Sequence, residues 1–389
     1  MSKDAKDTEW SLPVIATWQS HLRGEKPAGA FECILYTDSE ITGQVEGDCG
    51  PYHFLNTVPV TRGPGIVSPH IVLRCFYSEQ EEKQVQEYFN VDGSSRYHGG
   101  TSIIDEIAAL SSLFLGVRIW ASDVTRGFEN LDNDPMGRPR HWSNKSAPTI
   151  SFQNKRPVMP SVMRQKNLSE LHALNSILVL DNTESVSLIR AARLYQNALW
   201  MGDVDQNLAW IMLVSALEAV AGCWRSGSSS NKDIMSETLP KLTERLKEEC
   251  SEPLVDWTAD QLAHLTGSTR KFLDFCLEFL PGVPDGRPSE FLQIEWTEEG
   301  WKDILKKVYK YRSKALHDGI PFPLPMGDPP YRLVQDAPVA EVGMVGLAVS
   351  YGDFSWQKDE VPINLNLFVV VTRLILLNWI VSKTEKNES

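Results

Sequence analysis

The run over residues 206–224 constrains the fold of this chain more than any other stretch. It contains Leu208-Ala-Trp-Ile-Met-Leu-Val-Ser-Ala-Leu-Glu-Ala-Val, and Glu218 is its one charged residue. A helix that is apolar on every side must be enclosed by other helices. The chain therefore has to assemble a helical core around this segment. The enclosed carboxylate then needs a basic partner from a neighbouring helix, because an unpaired buried charge is costly.

The segment over 301–316 offers that partner. Sorted at the helical period, Trp301, Ile304, Leu305, Val308 and Ala315 form one apolar stripe, and Lys306, Lys307, Lys310 and Lys314 form another face, beside Asp303. Arg312 stands four residues after Val308 and seven after Leu305, so it belongs with the apolar stripe. A cation on that stripe calls for an acid, and Glu218 is the acid whose position matches. His317 follows at the helix end, before an Asp318-Gly319 stop. The two motif side chains lie about one and a half turns apart along the axis but differ in angle. One pocket lined by both is expected, especially if a symmetry mate closes it.

Other helices are predicted near 184–201, 203–224, 235–249, 259–280, 298–317 and 363–383. A long Pro- and Gly-containing excursion near 319–361 separates the last two. The 361–381 stretch approaches membrane length, but Arg373 sits at its middle and Asn364, Asn366 and Asn378 dilute it. A buried core helix fits it better than a membrane span.

The first part of the chain differs in kind. Residues 13–95 carry short strand-like runs, Phe31-Glu-Cys-Ile-Leu-Tyr, Tyr52-His-Phe-Leu and Ile71-Val-Leu-Arg-Cys-Phe-Tyr, separated by Gly and Pro. A helix is predicted over 102–115, capped by Ser102 with Asp105 three residues on and ended by Gly116. Asp105 and Glu106 suit its first turn. The segment Asp132-Asn-Asp-Pro-Met-Gly-Arg-Pro reads as a turn cluster, and 226–231 as a short polar turn. A polar, Pro-containing connector over 143–167 marks the boundary. The predicted organisation is α+β overall: a mixed or β-rich domain over 1–165, then an all-α bundle over 166–389 with its insertion near 319–361.

A formal net charge of −13 argues against a surface coated for nucleic acid. Locally the balance reverses: residues 302–314 hold six basic side chains and one acid. The six cysteines form no C-x-x-C pair and no metal-type spacing with histidine, so neither metal nor cofactor is expected. The N-terminus lacks an apolar leader core, and reduced thiols in a cytoplasmic protein are the simplest account. His98-Gly-Gly100 has the look of an esterase oxyanion loop but lacks a G-x-S-x-G elbow, which leaves a turn.

Arg312-Ser-Lys-Ala-Leu-His317, with Tyr311 before it and the earlier Ser215-Ala-Leu-Glu-Ala, resembles the R-x4-6-H signature of HEPN domains, most closely the Apea-like branch. The resemblance covers the C-terminal 220 residues or so. It implies a dimerising helical bundle with two motifs around a shared cleft. It also implies metal-independent RNA cleavage, in which the histidine moves a proton and the arginine stabilises phosphate charge. Arg312 and His317 are then the catalytic candidates, and Glu218, Tyr311, Ser313 and Lys314 the supporting ones. The partners implied are RNA, a second copy of the chain, and a protein trigger or antitoxin, with no membrane. Catalytic members often carry Asn, Asp or His directly after the arginine, and this chain has Ser313. Tyr309 and Tyr311 suit base stacking or bundle packing. The implied setting is a prokaryotic antiviral or toxin effector. The competing expectation is a non-catalytic dimeric scaffold that binds a protein or nucleotide in the same cleft.

Overall fold

The computed structural model describes residues 12–56, 66–78, 102–129, 131–140, 145–150, 152, 156–224, 231–334, 336–343, 346 and 348–388. The His-Gly-Gly turn, residues 226–230 and parts of the 143–167 connector lie outside them. The chain is α+β, and it divides into two compact units, Met1–Asp205 with Ile380–Ser389, and Gln206–Trp379.

The first unit is built on a sheet. Helix α1 (Pro13–Leu22) precedes β1 (Gly29–Thr37), β2 (Ile41–Thr42), β3 (Tyr52–Asn56) and β4 (Ser68–Tyr77). Helix α2 (Ile103–Leu115), β5 (Trp120–Phe128), β6 (Arg138–Pro139) and β7 (Lys166–Asn167) follow. Five strands pair in the order β3-β4-β1-β5-β6, and the pairings of β1 with β4 and β5 are antiparallel. All three strand-like runs read from the sequence lie within β1, β3 and β4. Alternation explains the core face: Cys33 and Leu35 of β1, Leu73 and Cys75 of β4, and Tyr52 and Phe54 of β3 are buried.

Two elements here escaped the sequence reading. Residues 13–22 form helix α1, started by Pro13 and fixed by Trp18, whose ring meets Tyr52 edge-on at 5.3 Å. Strand β5, with its weak apolar alternation, was not foreseen. Helix α2 is capped as expected: Ser102 accepts from the Asp105 amide at 3.3 Å, and Gly116 closes it in the left-handed region at φ 70°. Glu106, read as a first-turn dipole residue, is fully buried and accepts from the Val14 amide at the start of α1. A run of 3₁₀ turns (Leu168–Val179) and helix α3 (Asn182–Met201) complete the unit, so it extends past the connector.

One buried ion cluster ties these pieces. Arg118 donates to the Leu199 carbonyl at 2.7 Å, to Asp38 at 2.6 Å, and to Asp203. Asp203 also accepts from the Val158 amide at 2.7 Å. Burial pushes the Asp38 carboxyl up even with Arg118 beside it.

The second unit is mainly helical. Its helices are α4 (Gln206–Ala221), α5 (Asn231–Thr238), α6 (Pro240–Glu249), α7 (Glu252–Glu278), α8 (Glu298–His317) and α9 (Leu365–Glu388, from Ile380 grouped with the first unit). The helix predicted over 235–249 is two helices, because Pro240 starts the second. Helices α5 and α6 close a small core of Met235, Val255 and Ala259 against α7. Trp210 lies between the rings of Phe322 and Phe368, at 5.2 and 4.7 Å. Helix α9 is long and apolar enough to cross a membrane, yet Phe368, Val371, Ile375, Leu376 and Trp379 are all buried.

The expectation of an all-α C-terminal region needs one correction. The excursion between α8 and α9 contains a hairpin, β8 (Ala348–Tyr351) and β9 (Phe354–Gln357), turned by Gly352 at φ 61°. Alternating Val349, Tyr351, Phe354 and Trp356 around a Gly-Asp pair is a strand pattern.

Candidate functional site

Helix α8 carries the motif. Thr297 caps it by accepting from the Gly300 amide at 3.1 Å, and Gly319 ends it at φ 67°. Trp301, Ile304, Leu305 and Val308 are buried, as the apolar stripe requires; Ala315 is half-buried. On the other face Lys302, Lys306 and Lys310 are exposed, while Lys307 and Lys314 are half-buried.

The stripe delivers Arg312 to helix α4. Its Nη2 donates to Glu218 Oε2 at 2.6 Å, and the two side chains are 20% and 21% exposed. The arginine therefore has the partner that the single acid of an apolar helix demanded. The guanidinium is not saturated. Nε is buried without a partner, and Nη1 makes no hydrogen bond among the described residues.

Tyr309, expected only to stack or pack, lies beside this ion pair. Its ring lies 5.9 Å from the Arg312 guanidinium carbon and 5.0 Å from Phe272. Burial raises its pKa, and the nearby Glu218 charge raises it further. Arg312 and Tyr309 thus both lie beside the Glu218 carboxylate. The available signal was spacing: Tyr309 is three residues before Arg312, on the same helical face.

Tyr311 serves differently. Its hydroxyl donates to the Glu360 carbonyl at 2.7 Å, its ring meets Phe322 edge-on at 5.9 Å, and burial pushes its pKa up to about 12. Beside it, Lys307 Nζ donates to the Asp359 carbonyl at 2.7 Å. These two residues fasten the end of the excursion to α8. Ser313 and Lys314 are half-buried and follow Arg312 in sequence.

His317 is exposed and has no hydrogen-bond or ion-pair partner among the described residues. Five residues along a helix turn a side chain by about 140°. Within one chain, then, Arg312 faces α4 while His317 projects elsewhere from the last turn. No contact joins the two, so the expected common pocket is not formed within one chain.

A separate open cleft of about 620 Å³ lies toward the first turn of α8, lined by Ile294, Glu295, Gly300, Asp303, Gln357 and Lys358 among others. It does not include the motif. Among the described residues, no three His, Cys, Asp or Glu side chains gather as metal ligands. Compared with known family models, curated proteins and solved structures, the chain matches none.

Proposed function

We propose that this chain is a metal-independent endoribonuclease of HEPN type, working as a homodimer in the cytoplasm. The observation that carries the reading is Arg312: a half-buried guanidinium oriented by Glu218, with its Nη1 edge uncommitted, on a lysine-lined helix that ends at His317. A fixed cation of this kind suits the charge that develops on a phosphate in the transition state. An imidazole titrates near neutral pH, as proton transfer requires.

The reaction follows from those roles. A 2′-hydroxyl gives its proton to one imidazole, the 2′-oxygen bonds to phosphorus, and the P–O5′ bond breaks. The 5′-oxygen takes a proton from a second, protonated imidazole. The products are a cyclic phosphate and a 5′-hydroxyl. The angular separation of Arg312 and His317 supports a cleft shared by two copies, which supplies both imidazoles. In this reading the sheet-bearing first unit senses a trigger or recruits substrate for a defence or toxin effector, and a protein trigger or antitoxin controls it.

The test is cleavage of tRNA and total RNA by purified protein in EDTA, with the ends mapped. Arg312→Ala and His317→Ala are each expected to lower the rate by about 100-fold or more. An equal mixture of the two variants should recover part of the activity if the cleft is shared. Cleavage undiminished in both single variants removes the assignment.

A second reading is a dimeric scaffold without catalysis. It is favoured by the lack of any described residue orienting His317, and by Ser313 after the arginine. Induced expression separates the two: toxicity abolished by His317→Ala belongs to the enzyme.

A further inference from the structure

We propose that the exposed lysine face of α8 is a track for the phosphate backbone of an RNA strand, and that it delivers the strand to His317. The track rests on the nuclease reading of the same site and specifies how its substrate is held. Lys302, Lys306 and Lys310 follow one another at four-residue steps, each about 6 Å further along the axis, and all three are exposed. His317, the last residue of the helix, stands eleven residues after Lys306 and seven after Lys310. In projection down the axis it falls between them, about 20° from each. The imidazole that makes no contact with Arg312 therefore shares a face with the lysines.

Local structure gives these lysines no other task. None of the three has an ion pair or hydrogen bond among the described residues. Lysines at i and i+4 repel one another, so a face serving helix stability alone would alternate in sign. A chain with 51 acids against 38 bases nevertheless keeps three in a row here. Such a row suits a polymer whose negative charges also repeat at short intervals. A lipid surface would also ask for an apolar rim beside the cations, and Trp301, Ile304, Leu305 and Val308 of the apolar stripe are buried.

The neighbouring acids leave the row open. Glu298 and Glu299 occupy the first turn, where the helix dipole favours them. Asp303, the one acid between Lys302 and Lys314, lines the separate cleft. Asp359 and Glu360 lie beside Lys307 and Tyr311, about 100–140° round the helix from Lys306. Asp318 follows His317 at the C-cap, beyond the last lysine.

Binding is measured on full-length His317→Ala protein in EDTA, so that RNA survives, with a fluorescent single strand of about 15 nucleotides. Lys302→Gln, Lys306→Gln and Lys310→Gln combined should weaken binding about 100-fold at about 0.1 M salt. The salt slope should fall by about 2, at about 0.7 for each lost phosphate contact. Glutamine and lysine have similar helix propensities, so the fold should hold. The corresponding arginine triple should bind like the parent. Lys241→Gln with Lys247→Gln, exposed lysines on α6, should leave the slope nearly unchanged. With His317 restored, the glutamine triple should lower kcat/KM on the long strand about 100-fold, yet leave a dinucleotide, too short to reach the lysines, unaffected. A triple variant that binds with the parent's affinity and slope overturns the track, and the nuclease reading is then judged by its own cleavage variants. An equal loss on the dinucleotide also overturns it, making the lysines part of the fold. Lysine-dependent binding by a wild-type chain that cleaves no RNA keeps the track and overturns the nuclease reading alone. Absence of RNA binding, with lysine-dependent binding to phosphatidylserine vesicles or without it, overturns the track.

Discussion

Arg118, in the loop between α2 and β5 of the first unit, and Arg312, on α8 of the second, are both turned inward onto carboxylates, and the two are answered differently. Arg118 is fully buried; Nε, Nη1 and Nη2 all donate, and two aspartates share its charge. Arg312 is one-fifth exposed, is held by one carboxylate through one nitrogen, and leaves Nε unsatisfied. A sealed guanidinium with all three nitrogens engaged is closed to a ligand and works as a fastener. A half-open, under-bonded one has donors to spare, at a cost in stability that a purely structural residue need not carry.

The sharpest way to break this contrast is Arg118→Ala. It strands Asp38 and Asp203 in the interior, and removing one partner of a buried pair costs about 3–5 kcal/mol. Urea unfolding of the full chain should show an early transition for the first unit; an unchanged profile would refute the fastener role. A smaller effect separates the parts of the second unit. Tyr309→Phe keeps the ring against Phe272 and removes the hydroxyl beside Glu218. RNA cleavage should fall severalfold while thermal unfolding barely moves. Equal losses in both would make Tyr309 a packing residue only.

The smallest expected effect concerns His53 on β3. Burial lowers its pKa, so the folded ring takes up a proton less readily than the same ring in the unfolded chain, which titrates near pH 6.5. The unfolded state then binds more protons below that pH, and stability declines as pH falls from about 7 toward 5. His53→Gln should flatten that slope slightly. A slope unaltered by the substitution would move the pH sensitivity to other groups.

Much of this was readable from the chain. The cap at Ser102, the stop at Gly116 and the Asp-Gly end of α8 follow from local backbone chemistry, and local chemistry is visible in one sequence. The need of Glu218 for a cation was also visible, because a lone acid on an apolar helix admits few solutions. What stayed hidden depends on partners distant in sequence. Helix α1 is ten residues whose burial is decided by Tyr52 and Glu106, far along the chain. Arg118 looks like any strand-edge arginine until Asp38 and Asp203 converge on it. Nothing nearby in sequence shows that Tyr309 lies beside Glu218. The separation of Arg312 from His317 was implicit in their spacing, since five residues do not return to the same helical face.

The burial of the cysteines has a practical consequence. All six are free, and burial pushes the thiols of Cys33, Cys75 and Cys276 upward, with Cys49 raised to about 12. At neutral pH these sulfurs stay protonated and meet no reagent unless the surrounding structure opens. Cys33, Cys49 and Cys75 belong to the sheet-bearing unit, and Cys276 lies near Glu218 in the other. Alkylation kinetics at these positions therefore clock the breathing of each half separately, with no foreign label added.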